Sequence, residues 1–303
     1  MRMTKLSLAG LLLSFVCSIP SHSQQIAFTF DDLPSHGDLP PGQTRLEIAN
    51  SFLRTLHDQH MPQVYGFINA ANLEKEPGNV AVLKAWRDAG NPLGNHAYSH
   101  PSLDDLTPEQ FEADIAKNEP TLSKLMAGED WHWFRYPFLR EGDTLEKRHD
   151  VRTWLQQHDY QIAQVSMDFG DYLWNAPYAR CIAKHDDKAI ESLRASYLAT
   201  ADQSITVFRD LTHTLYGRDI SYVLLLHIGA FDAKMLPNLI ALYRSRGFTF
   251  ITLPEAMKDP AYKEDPNLAL EHGGAFQEQI AAARHIKIPP NSKPYKELEN
   301  TCR

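Results

Sequence analysis

Short apolar runs of strand type alternate with amphipathic stretches along most of the 303-residue chain. The strand-type runs fall at 25–30, 64–68, 92–96, 132–136, 161–165, 222–227 and 249–253. Between them, apolar positions recur at helical spacing over 44–59, 78–89, 107–126, 143–157, 178–199 and 232–246. Thr107 followed by Pro108 marks a helix start, and Gly90 and Gly247 sit where two helices should end. Strands alternating with helices require parallel βαβ units, which close into a barrel or stay open as a doubly wound sheet. No glycine-rich phosphate loop follows the first strand, which counts against a nucleotide-binding open sheet.

Two stretches break the alternation. The interval 175–219 is long for one connection and should hold an insertion with two helices. After Pro254 the chain turns polar and proline-studded, with one helix near 276–284, and reads as a tail packed on the outside. At the other end, Arg2 and Lys5 precede an apolar run over 6–19 that Pro20 closes, and Ser21-His22-Ser23 offers small residues for cleavage. That is the pattern of a secretory signal, and the run is too short for a membrane span. The expected division is a signal over 1–23, a (β/α) domain over 24–258 and a C-terminal extension over 259–303. The protein would be exported, periplasmic or secreted, with no stable membrane insertion once the signal is removed.

Composition narrows the partners. Thirty Lys and Arg stand against 38 Asp and Glu, a net charge of −8, and no basic run appears. Nucleic acid and anionic lipid are therefore not expected partners. Of three cysteines, Cys17 leaves with the signal. Cys181 and Cys302 could pair in an oxidising compartment and anchor the tail, or remain two free thiols, since spacing does not establish proximity.

Chemistry-bearing residues gather at strand ends. Asp31 and Asp32 close the first run, His96 and His100 straddle the end of the third, Arg135 ends the fourth, Asp168 and Asp171 follow the fifth, and His227 ends the sixth. Each has an ordinary alternative. An Asp pair can cap a turn, an HxxxH pair falls on helix surfaces by chance, Pro137 can simply stop a strand, and a lone histidine after apolar residues is commonly a bonded core residue. In a parallel barrel, however, functional side chains collect on that one face. One carboxylate and two neutral imidazoles can hold a divalent ion, and the spare carboxylate can take a proton from water.

The ordered set Thr29-Phe30-Asp31-Asp32, His96-x-x-x-His100, Arg135-x-Pro137-Phe138, Asp168-x-x-Asp171 and Leu225-x-His227 resembles the polysaccharide deacetylases, the NodB-homology family or carbohydrate esterase family four. The resemblance implies an α/β fold, a distorted (β/α) barrel of about seven parallel strands. It also implies removal of N-acetyl groups from N-acetylglucosamine-containing glycans by attack of a metal-bound water. Asp32, His96 and His100 would ligate Zn2+, or another divalent metal such as Co2+ or Ni2+. Asp31 would be the general base, held and aimed by Arg135. His227 would protonate the leaving amine with Asp171 as its orienting partner. The Phe138 backbone N–H would bind the oxyanion, Leu225 would floor the acetyl pocket, and Tyr172 with Trp174 would wall the sugar. The partner would be an acetylated glycan.

Several positions depart from that family pattern. Ala97 stands where a hydroxyl usually braces the histidine loop, Tyr172 replaces a tryptophan, and Leu139-Arg140-Glu141-Gly142 lengthens the third motif. Ile228 follows His227 where an acid is frequent, and His36 lies just beyond the acidic pair as a structural or substrate-facing residue. The rival readings are an O-acetyl esterase on xylan-like polymers, a small-molecule amidohydrolase with a closed pocket, and a non-catalytic carbohydrate-binding barrel.

Overall fold

In the computed structural model, which describes residues 24–76 and 78–303, one strand is hydrogen-bonded to three others. This is β1 (Gln24–Leu33), followed by α1 (Arg45–Asp58), β2 (Tyr65–Ile68), α2 (Ala71–Lys75), α3 (Asn79–Asp88) and β3 (Leu93–Asn95). Then come α4 (Pro108–Leu125), β4 (Trp133–Phe134), α5 (Leu145–Gln157) and β5 (Gln161–Ile162). The insertion holds α6 (Asn175–Ala183) and α7 (Asp187–Tyr216), and β6 (Tyr222–His227), α8 (Ala230–Ser245), β7 (Phe248–Phe250) and α9 (Leu253–Ala256) follow. The tail adds α10 (Phe276–Ala283) and α11 (Tyr295–Asn300). The expected signal, residues 1–23, lies outside the described residues.

All strand pairs are parallel, in the order β5-β4-β3-β2-β1-β6, with β7 also on β1. Beyond β5 the chain bends back, and Met167 bridges Leu224 of β6. The Leu225 N–H donates to the Met167 carbonyl at 3.1 Å, so the ring closes through one short bridge. This is a distorted barrel, in keeping with the expectation. Strand alternation sorts its side chains. Ile26, Phe28 and Phe30 of β1 and Leu224 and Leu226 of β6 join the large core beneath the helices. Ala27 and Val223 point the other way, packing with Tyr65, Phe67 and Trp133 inside the barrel, where Leu253 and Ala256 of α9 plug one end. Thr29, Asp31, Leu225 and His227 continue that inward series toward the open end.

Elements differ from expectation where the chain turns into the mouth. β4 and β5 keep only two residues each. The helix expected over 178–199 is two. His185 takes a left-handed φ of 54°, and the Asp186 side chain caps α7 by accepting from the Ala189 N–H. α7 then runs 30 residues because Ile205, Phe208, Leu211 and Leu215 keep burying one face. The tail does more than cover the outside. α10 packs on α7, with Gln277 Nε2 donating to Thr212 Oγ1 at 3.0 Å, and Cys302 is bridged to Cys181. Among the described residues no helix is long and apolar enough to cross a membrane.

Candidate active site

Two neighbours on a regular strand face opposite sides, so Asp31 and Asp32 should not share a cleft. β1 solves this with a register shift between Phe30 and Leu33, where Asp32 adopts a φ of 62°. The bulge re-aims Asp32 into the mouth beside Asp31. A left-handed backbone at a non-glycine residue costs about 1–3 kcal/mol and tends to cluster at functional sites. Here Asp32, Ala97, His100, Phe138 and Leu139 all adopt it around one cleft.

Asp31 is held from behind. Arg135, itself buried, donates from one guanidinium nitrogen to both Asp31 oxygens at 3.1 and 3.2 Å. Its other nitrogens reach Thr29 Oγ1 at 3.1 Å and the Ala163 carbonyl at 2.7 Å, and its plane lies over the Phe67 ring. Every guanidinium contact therefore fixes the angle at which Asp31 enters the cleft.

The histidine loop is set by carboxamides. Asn69 Nδ2 donates to the carbonyls of His96 and Ala97 at 2.6 and 2.9 Å, and Asn95 Oδ1 accepts from the Ala97 N–H at 3.0 Å. Both Asp114 oxygens accept from the Ser99 N–H at 3.0 Å. Those groups brace the loop that Ala97, lacking a hydroxyl, does not brace itself.

His96 Nδ1 lies 2.8 Å from the Arg135 carbonyl, which only accepts, so in the neutral imidazole that a metal ligand requires Nδ1 carries the proton and Nε2 presents a lone pair. That lone pair sits 3.5 Å from Asp32 Oδ1 and 3.7 Å from Asp31 Oδ2, while His100 Nε2 is 3.3 Å from Asp32 Oδ1. Asp32 Oδ1 is buried with no hydrogen-bond partner among the described residues. A cluster of acceptors facing one another without a proton between them fits a divalent cation. Burial, with His96 beside it, pushes His100 down to about 4, leaving a neutral imidazole at pH 7. Burial alone would raise Asp32. The His36 hydrogen bond and the neighbouring His100 and His227 outweigh it and hold the carboxyl well below the usual range.

Asp32, His36 and His227 form a second possible cation set, sharing Asp32. His36 Nδ1 already occupies Asp32 Oδ2 at 2.8 Å, so the orphaned Oδ1 favours the His96 and His100 side. His227 is clamped differently. Asp171 accepts from its backbone N–H at 2.6 Å and from Nδ1 at 2.8 Å, leaving Nε2 to face the cleft, 3.9 Å from Asp32 Oδ2. Burial would lower its pKa, but the charge and hydrogen bond of Asp171, with Asp32 and Asp31 beyond, raise it to about 10. Behind Asp171 lies Asp232, which burial and the Asp171 charge push well above the usual carboxyl range.

The cleft, roughly 440 Å³, is open at the barrel mouth and lined by Asp31, Asp32, His96, His100, Leu225 and His227 at its floor. Phe138 forms one rim, its ring edge-on to His100 at 4.4 Å, and Tyr172 the other, 5.3 Å from His227. Trp174 is not a wall. It is fully buried, packed on Tyr197 and donating to Ser196 Oγ at 2.9 Å. The reason is the 3-10 turn Asp171–Trp174: residues three apart eclipse, so Trp174 follows Asp171 inward and Tyr172 alone faces out. His272 and Tyr295, both from the tail, also line the cleft, and Lys293 binds Asp168 beside it. The sequence reading passed over all three, although the possible pairing of Cys302 with Cys181 was a signal that the tail is fastened.

The sequence profile of the polysaccharide deacetylase family matches residues 18–163. A peptidoglycan-N-acetylglucosamine deacetylase of Bacillus cereus is 30% identical over 243 residues, covering 80% of this chain and 71% of that relative. A chitin deacetylase of Arthroderma benhamiae is 22% identical over 195 residues, covering 64% of this chain and 44% of its own length, so this chain spans under half of that relative. Among solved structures, the chitin deacetylase of the fungal pathogen Colletotrichum lindemuthianum superposes with a TM-score of 0.54 at 18% identity. That match covers 83% of this chain and 95% of the other, and at such identity it is a likeness of fold.

Proposed function

Since the chain belongs to the polysaccharide deacetylase family, hydrolases acting on carbon–nitrogen bonds, we propose that it removes N-acetyl groups from N-acetylglucosamine-containing glycans of peptidoglycan or chitin type. One observation carries the reading. Asp32, His96 and His100 present converging acceptors with an orphaned oxygen, while Asp31 beside them is held apart by Arg135. Zn2+, or Co2+ or Ni2+, held by those three residues would supply a Lewis acid for the acetyl carbonyl and lower the pKa of water to about 7.

The chain's own groups divide the remaining work. Asp31, fixed by Arg135, takes a proton from the attacking water. The Phe138 backbone N–H donates to the oxygen that gains charge as the carbonyl becomes tetrahedral, and such a donor is worth about 10²–10³ in rate. His227 delivers a proton from Nε2 to the leaving nitrogen, because Asp171 occupies Nδ1 and stabilises the imidazolium. Acid–base help of this kind adds about 10²–10⁴. Leu225 floors a space suited to a methyl group, and Phe138 and Tyr172 flank the sugar. The open mouth favours a polymer over a small cyclic amide.

The site of action proposed is outside the cytoplasm. The apolar run behind Arg2 and Lys5 and the Cys181–Cys302 bridge support it. The test is acetate release by zinc-loaded protein from N-acetylchito-oligosaccharides and peptidoglycan fragments against acetylated xylan. Acetate is expected from the amides. Release confined to the ester would replace the reading with an O-acetyl esterase, and release from none would leave a binding protein.

A further inference from the structure

The C-terminal segment touches both rims of the cleft. On one side Gly273 lies so close to the Phe138–Leu139 turn that a Cβ there would meet the Leu139 and Phe138 carbonyl oxygens at 2.6 and 2.8 Å. On the other, the Lys293 stem crosses Gly170, where a Cβ would stand 2.9 Å from Lys293 Cδ, and Lys293 Nζ binds Asp168 at 2.7 Å. Asn291 Nδ2 adds a bond to the Asp168 carbonyl at 3.1 Å. At the end of α11 and just past it, Arg180 donates to the carbonyls of Leu298 and Thr301, and the disulfide fastens Cys302 to Cys181. The segment is thus fixed at several independent points around the mouth.

What this fastening presents is Tyr295. The residue remains 52% exposed and lines the cleft, reaching the Tyr172 phenol. Tyr172 makes edge contacts with His227 and His36, so it borders the sugar that reacts. Tyr295 makes no ring contact with those histidines among the described residues, which places it one position farther out. A rigid, half-exposed phenol pair suits the apolar face of a pyranose ring and loses little rotamer freedom on binding.

We infer that the C-terminal segment is part of the substrate site, and that Tyr295 beside Tyr172 forms a stacking subsite for a neutral pyranose ring adjacent to the one that loses its acetyl group. The inference rests on the deacetylase reading above. It makes the enzyme select oligomers over single sugars through a group that lies outside all five motifs.

The test uses full-length, disulfide-bonded, zinc-loaded protein and its Tyr295→Ala and Tyr295→Phe variants. Calorimetric affinity for N-acetylchitotetraose and kinetics on that tetramer and on 4-nitrophenyl acetate are measured. Tyr295→Ala should weaken tetramer binding about tenfold, as expected for losing one aromatic contact of about 1.4 kcal/mol, and raise KM rather than lower kcat. Its loss on the tetramer should exceed its loss on the aryl ester by a similar factor, and Tyr295→Phe should retain the affinity. Equal losses on both substrates, unchanged tetramer affinity in Tyr295→Ala, or no tetramer binding by the parent protein would overturn the subsite. A parent protein that binds the tetramer but releases no acetate would sink the deacetylase reading alone.

Discussion

The two halves of the cleft are built on opposite plans. The strand-end half, with Asp31, Arg135, His96 and His227, is buried and cross-bonded, and each side chain has a second group fixing its angle. The tail half, with His272, Lys293 and Tyr295, lies on a segment of turns and short helices held by a disulfide, the Lys293–Asp168 ion pair and the packing of Phe276, Ile280 and Leu298 into the core. The first plan suits atoms that must meet a reacting bond within a few tenths of an ångström. The second suits a surface that only has to recognise a ring. On the proposed function, chemistry and choice of substrate are carried by separate parts of the chain, and substitutions should sort accordingly.

The largest separation is expected within the strand-end half. Asp31→Asn should keep the metal and lose turnover by about 10²–10⁴, the usual worth of a general base. His96→Ala should lose both metal and activity. Elemental analysis with acetate release reads both, and equal metal content with equal activity would erase the distinction between ligand and base. Asp171→Asn comes next. In the proposed mechanism a protonated His227 releases the amine, so activity should be present below its pKa and lost as pH rises through it. Asp171 is the main group raising that value to about 10. Without it the alkaline limb should move toward neutral pH, costing about thirtyfold at pH 8 if the ring returns near 6.5. A limb that stays in place would remove Asp171 from the proton-delivery scheme. The smallest effect on turnover belongs to the other half. Cys302→Ser opens a link between residues 121 apart and should lower unfolding stability by about 2 kcal/mol or more, while kcat at saturation holds and the tetramer KM rises. A fall in kcat equal to that of Asp171→Asn would break the division between the halves.

Legibility in the sequence follows the same line. Strand-end acids and histidines were visible because barrel topology brings those positions to one face, and because inward positions on β6 read Val223, Leu225, His227 by simple alternation. The bulge was not visible, since nothing in Phe30-Asp31-Asp32-Leu33 says which residue will take a left-handed φ. Trp174 was misplaced because a tight turn with a three-residue period carries it inward with Asp171, which its position two residues after Tyr172 does not reveal. Asn69 and Asp114 replace the missing hydroxyl at Ala97 from remote elements, and only tertiary contact reveals such substitution. The tail was hardest, since its residues gain meaning only from the Asp168 and Gly170 they dock against.

β1 pairs with β2, β6 and β7, so its backbone is saturated along both edges. Loosening that strand means opening the whole sheet, so the carboxylates at its end are protected from local opening. A glycan pulling on the rims, as the proposed function implies, would thus leave the alignment of the carboxylates below undisturbed.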